Sequence, residues 1–62
     1  MAKVENDRLV PPVHSAETIP CPFGGVDVVA YTEDDLIWTI AHGVTVREAV
    51  RKAAEQLQRK TV

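Results

Sequence analysis

The sequence lacks the disulfide bonds and structural metal sites that usually stabilise so short a chain. It contains one cysteine, Cys21, so an internal disulfide is excluded. Cys21 together with His14 and His42 does not give the paired spacings of a structural zinc site. A chain of 62 residues forms at most one domain, which buries only about 60% of the surface of its unfolded state. We therefore expect a thin stability margin, with tight packing or self-association completing the core.

Long hydrophobic runs are also missing. No run approaches the roughly 20 apolar residues of a transmembrane helix, and residues 1–7 lack the hydrophobic segment of a signal peptide. We expect a cytoplasmic protein with no membrane partner.

Positive charge is missing from the middle of the chain. Residues 18–44 contain four acidic side chains and no Lys or Arg, whereas residues 45–62 contain five basic and two acidic ones. The formal net charge of −2 therefore conceals an uneven distribution.

The first third of the chain shows no hydrophobic period. Residues 1–17 combine scattered charges with the pair Pro11-Pro12, a composition that favours irregular structure. We predict a flexible N-terminal arm over residues 1–17, followed by a single small domain over residues 18–62.

The segment over about 18–31 predicts a β-hairpin. Gly24 and Gly25 supply the positive φ angles of a two-residue turn, which places Phe23 opposite Val26. In this register, alternation gathers six apolar side chains on one face. They are Ile19, Cys21, Phe23, Val26, Val28 and Ala30.

Residues 32–43 are ambiguous between helix and strand. A helix over about 33–42 would have Thr32 as N-cap, three acids in its first turn and Gly43 as its stop. A strand would place Leu36, Trp38 and Ile40 on one face, and Ile, Trp and Thr favour strands. We prefer the helix because of its caps.

A second helix is predicted over about 46–60. Thr45 and Glu48 form a capping box, and an apolar stripe follows at helical spacing. The predicted fold class is α+β, with the hairpin packed against a C-terminal helical pair. The alternative is a three-stranded antiparallel meander with one C-terminal helix.

No residues suggest catalysis, a cofactor or a metal. Alternation places Cys21 in the core, where a free cysteine is usually inert. The run Glu33 to Asp35 lacks the alternating ligands of a calcium loop. A general base at His42 has no nucleophile or orienting acid near it in the sequence. We expect a protein that is not an enzyme, has no small-molecule substrate and needs no cofactor.

The stretch 40–50 has a helix, a short turn with glycine and a capped second helix in the helical interpretation. It resembles the first helix pair of many helix-turn-helix regulators. The resemblance implies DNA binding through basic side chains of the second helix. The candidates are Arg47, Arg51, Lys52 and Arg59. Two glutamates, Glu48 and Glu55, lie between them and would repel phosphate.

The preferred hypothesis is a small non-enzymatic binding protein, a regulator or inhibitor that acts through protein–protein contact. Its apolar side chains exceed what so small a core can hold, and Trp and Tyr are typical interface anchors. The predicted partner-binding residues are Val29, Tyr31, Ile37 and Trp38. The partner would be a larger protein or a second copy of the chain in a homodimer. The alternative is the helix-turn-helix DNA-binding regulator.

Overall fold

The computed structural model describes residues 2–61, which form a four-stranded antiparallel sheet and one C-terminal helix. Along the chain the elements are β1 (Ala2–Lys3), a 3-10 helix (Asn6–Arg8), β2 (Ser15–Pro20), β3 (Val26–Tyr31), β4 (Trp38–Gly43) and α1 (Val46–Thr61). The strands lie in the order β1-β2-β3-β4, so each pairs with the next along the chain. The α+β class is confirmed.

The predicted helical pair is wrong in its first member. Residues 33–42 form a loop and most of β4, so the alternative of a meander with one helix is closer, and β1 adds a short fourth strand. Burial along β4 alternates at every residue, as a pleated strand requires. Gly43 is not a helix stop. A Cβ there would lie 2.6 Å from the backbone nitrogen of Ala49, so glycine allows α1 to approach the end of β4.

The acidic run lies in the β3–β4 loop. The Asp34 carboxylate accepts hydrogen bonds from the Thr32 hydroxyl at 2.6 Å and from the Leu36 N–H at 3.1 Å. The Thr32 N–H donates to the Ile37 carbonyl at 3.0 Å. Such local side-chain bonds compete with helix formation, which explains why the acids do not begin a helix. The Thr32 hydroxyl, followed by the Leu36 N–H, lowers the pKa of Asp34.

The β2–β3 hairpin forms in a register different from the predicted one. Pro20 lies opposite Val26, so the loop spans residues 21–25 and not the two glycines alone. Pro22 occupies the second position of a β-turn in which the Gly24 N–H donates to the carbonyl of the residue before the proline at 3.2 Å. The fixed φ of proline suits this position, and the turn therefore starts earlier than predicted.

The register change exchanges the faces of β2. Val26 pairs with the residue three positions before its predicted partner Phe23, so the register of β2 is displaced by three residues. An odd displacement moves every side chain of the strand to the opposite face of the sheet. Ile19 and Cys21 therefore leave the core side, and Phe23 is 95% exposed at the hairpin tip. Val28 keeps its predicted inward position.

The N-terminal segment takes part in the sheet and the core. We expected a flexible arm over residues 1–17 and a domain over residues 18–62. In the structure β2 begins at Ser15 and pairs with β1. Val4 and Val13 are buried in the same apolar cluster as α1.

The helix predicted over 46–60 is confirmed as α1, and its start is capped. The Glu48 N–H donates to the Thr45 hydroxyl at 3.2 Å. The Glu48 carboxylate accepts from the Val44 N–H at 3.3 Å and lies 3.2 Å from the Lys52 ammonium. Contact with Lys52, followed by the Val44 N–H, lowers the pKa of Glu48.

The sheet has two faces with different neighbours. The face toward α1 and the N-terminal segment, here the covered face, carries Ala16, Thr18, Pro20, Val26, Val28, Ala30, Thr39, Ala41 and Gly43. The opposite face, here the open face, carries Ser15, Glu17, Ile19, Asp27, Val29, Tyr31, Trp38, Ile40 and His42.

The core beneath α1 consists mostly of small side chains. Six of the eleven buried hydrophobic residues are alanines, and the largest fully buried side chains are Leu57, Val28 and Val50. Thr39, a buried polar residue, donates its hydroxyl to the side-chain oxygen of Gln56 on α1. These small side chains allow the helix to lie close to the sheet.

Candidate functional site

The open face carries the larger apolar side chains of the sheet. Tyr31 lies directly opposite Trp38, and Val29 lies directly opposite Ile40. Residues opposite each other on neighbouring strands have Cβ atoms roughly 5 Å apart, so these four side chains form one surface, here the apolar patch. Trp38 is 53% exposed and Ile40 is 51% exposed. Nothing from the described residues 2–61 forms a layer over this face.

Three of the four predicted partner-binding residues lie together in the apolar patch: Val29, Tyr31 and Trp38. Ile37 lies apart from them, half-buried against the core cluster. Ile40 was missed because we interpreted its segment as a helix. The alternation of Trp38 and Ile40 along a strand is the sequence signal that identifies it.

Charged side chains of both signs surround the apolar patch. Lys3 of β1 lies opposite Glu17 of β2, and Asp27 lies opposite His42 on the adjacent strands. The open face therefore has an apolar centre with charged side chains beside it.

The outer edge of β4 is partly blocked by the end of α1. The Ile37 carbonyl accepts from the N–H of Thr32, the residue that follows β3, so the next carbonyl, that of Trp38, points out of the sheet. The Lys60 ammonium donates to this carbonyl at 2.9 Å and lies 5.8 Å from the centre of the Trp38 ring. A lysine at an exposed strand edge opposes the addition of a further strand.

A second feature of the open face is a compact group of Cys21, Asp27 and His42. The Nδ1 atom of His42 lies 2.7 Å from the Asp27 carboxylate. The thiol, a carboxylate oxygen and an imidazole nitrogen all lie within 4.8 Å of one another. Among residues 2–61 this is the one group of three or more Cys, His or acidic side chains compact enough to hold a metal ion.

Sequence reasoning missed this group because it depends on the strand register. We expected Cys21 in the core and His42 at a helix end. The observed register places both on the open face, and strand pairing brings Asp27 opposite His42. Gly25 lies beneath the imidazole, since a Cβ there would be 3.0 Å from the Nε2 atom of His42.

The predicted nucleic-acid-binding residues are exposed on α1, but the motif behind that prediction is absent. The described residues contain one α-helix, and the segment before it is β4, so no helix-turn-helix forms. Lys52 pairs with Glu48. Arg47 lines a cleft of about 480 Å³ with residues 7–10. Arg51 and Arg59 are exposed on the same helix.

Comparison of the chain with protein-family models, with curated proteins and with solved structures gave no match. In the part of the chain that the structure describes, no helix has the length and apolar character to cross a bilayer.

Proposed function

We propose that this protein is a non-enzymatic binding protein that acts through protein–protein contact, and that its apolar patch docks against the same patch of a second copy. One observation supports the proposal above the others. The sheet places its larger apolar side chains, Trp38, Tyr31 and Ile40, on the open face, while the buried side chains of the covered face are no larger than valine.

Burial of the patch would stabilise a complex substantially. Each square ångström of apolar surface removed from water contributes roughly 25 cal/mol, and Trp and Tyr side chains dominate the energetics of many interfaces. Trp38 and Tyr31 are neighbours in the patch, so a single contact would bury both aromatic rings.

A second copy fits the open face for three reasons. The core is small, and a small domain can gain folding stability by association with a second copy. Two sheets can pack face to face at about 10 Å with their side chains interdigitated. The border carries Lys3 as well as Glu17 and Asp27, so a two-fold axis can bring the lysine of one copy near an acid of the other.

Analytical ultracentrifugation of the wild type and of Trp38→Ala and Ile40→Ala tests the proposal. We expect a dimer for the wild type at micromolar concentration and a loss of association of at least about 10-fold for each variant, which is about 1.4 kcal/mol. Leu36→Ala is the matched control, because Leu36 is equally apolar and 80% exposed but lies outside the patch. Far-ultraviolet circular dichroism checks that every variant is folded.

A wild type that stays monomeric up to millimolar concentration would contradict docking to a second copy. A dimer that Trp38→Ala and Ile40→Ala leave intact would show that another surface associates. Binding of a larger protein through Trp38 by a chain that does not self-associate would replace the second copy with that protein as the occupant.

A further inference from the structure

The group of Cys21, Asp27 and His42 leads to a second inference, which does not depend on the apolar patch. We propose that these three side chains form a binding site for a divalent transition metal, with zinc as the first candidate. The site lies at the hairpin end of the open face, where Asp27 and His42 are cross-strand partners and Cys21 begins the β2–β3 loop.

The chemistry of the three side chains selects the class of metal. Thiolate, imidazole and carboxylate are the three ligand types that zinc takes in proteins. Calcium and magnesium prefer oxygen ligands alone, so a site with sulfur and nitrogen does not suit them.

The geometry fits chelation better than a nucleophilic relay. In a thiol–imidazole–carboxylate relay the imidazole stands between the other two groups, which keeps sulfur and carboxylate far apart. Here the thiol and the carboxylate lie within 4.8 Å of each other, as each does of the imidazole. The three ligand atoms are therefore mutually close, as the ligands of one metal ion must be.

The scaffold fixes two of the three ligands before the metal arrives. Asp27 and His42 belong to paired strands, and their side chains already touch at 2.7 Å. The backbone of Gly25, with φ of 76°, packs against the imidazole edge, which limits rotation of the ring. Binding would release the proton of the thiol and leave the neutral imidazole to donate a lone pair.

The site would leave one coordination position open to solvent. The His42 side chain is 55% exposed and that of Asp27 is 35% exposed. Three protein ligands with a fourth, open position are typical of zinc sites that bind water or an incoming ligand.

Titration of the reduced protein with Co²⁺, followed by displacement with Zn²⁺, tests the site. The wild type is expected to bind one metal ion per chain and to show a thiolate-to-cobalt absorption band in the near ultraviolet. Cys21→Ser should abolish that band. His42→Gln and Asp27→Asn should each weaken Zn²⁺ binding by at least about 10-fold, since even outer-shell partners are worth about 10-fold to 100-fold in metal affinity.

His14→Gln is the matched control, because His14 precedes β2 at the opposite end of the strand from Cys21. It should change Zn²⁺ affinity less than about twofold. A thermal melt supplies an independent measurement: Zn²⁺ should raise the melting temperature of the wild type and of His14→Gln but not of Cys21→Ser.

The proposal is overturned by the absence of a thiolate band in the wild type. It is also overturned by a band that persists with unchanged affinity in both His42→Gln and Asp27→Asn, because the thiol would then bind metal without the other two side chains. Each of the three variants changes a side chain outside the helix-covered core, and circular dichroism will confirm their folding.

Discussion

The two faces of the same sheet differ in the size of their side chains. On the covered face, Ala30 and Ala41 meet α1, and Gly43 admits the helix backbone at its closest approach. On the open face, Tyr31 and Trp38 lie opposite each other with no layer above them in the described structure. The small side chains of the covered face allow α1 to pack close to the sheet. The open face carries the apolar surface that the proposed association would bury.

If the open face binds a partner, as proposed, folding and binding depend on opposite faces of the same sheet. In a small domain the largest apolar side chains are usually buried in the core, because burial of apolar area offsets the conformational entropy that the chain loses on folding. Here Trp38 and Ile40 remain half-exposed. Substitutions on the two faces should therefore affect different measurements.

The largest effect is expected from Leu57→Ala on the helix over the covered face. Leu57 is fully buried, and such truncations cost about 2–5 kcal/mol, which is comparable to the whole stability of a domain this small. Ile40→Ala on the open face should cost about 1 kcal/mol or less in folding. Urea denaturation followed by circular dichroism, at a concentration where both chains are monomeric, measures the two values.

Equal losses of stability for Leu57→Ala and Ile40→Ala would break the comparison. In that case the open face would contribute to the core as much as the covered face does, and the division between folding and binding would be wrong.

A smaller loss is expected from Gly43→Ala. The added Cβ would meet the Ala49 nitrogen at 2.6 Å and the Glu48 carbonyl carbon at 3.1 Å. Both are backbone atoms, so α1 has to shift, and overpacking of this kind costs about 1–3 kcal/mol. Val44→Ala is the control, because the neighbouring Val44 is 77% exposed. Thermal melts of the two variants compare them, and a Gly43→Ala protein as stable as the control would contradict the close approach.

The smallest effect is expected from acidification. The pKa values of Asp34 and Glu48 are lowered by hydrogen bonds in the folded state, from ordinary values of 3.8 and 4.5. The resulting stabilisation is present above those values and is lost as pH falls below them. The melting temperature of the wild type should therefore decrease between about pH 5 and about pH 3.

The double variant Asp34→Asn with Glu48→Gln keeps oxygen acceptors at both places but removes their titration. Its melting temperature should depend less steeply on pH over that interval. An identical slope in the two proteins would show that other carboxylates dominate acid unfolding.

Local signals predicted the parts of the fold that depend on near neighbours. The Thr45 and Glu48 pair located the start of α1, because a cap is satisfied within one turn of helix. The inward position of Val28 follows from alternation within its own strand.

The rest depended on contacts between distant residues. The composition of Trp38–Gly43 favours a strand, whereas Gly43 at its end also suits the end of a helix. Pairing with β3 and the close approach of Ala49 to Gly43 make this segment a strand. The early turn at Pro22 changes which residues of β2 face the core. The group of Cys21, Asp27 and His42 exists only in that register, so no inspection of separate segments could assemble it.

The contact between Lys60 and the Trp38 carbonyl lies at the exposed edge of β4 and opposes the addition of a further strand there. A strand edge with a free carbonyl recruits further strands and permits sheets that grow without end, but here an ammonium occupies that carbonyl. The helix closes the other face of the sheet. If two copies pair through their open faces, as proposed, the helix on the opposite face of each sheet would limit stacking to two copies, and the Lys60 contact would oppose growth of the sheet at the β4 edge.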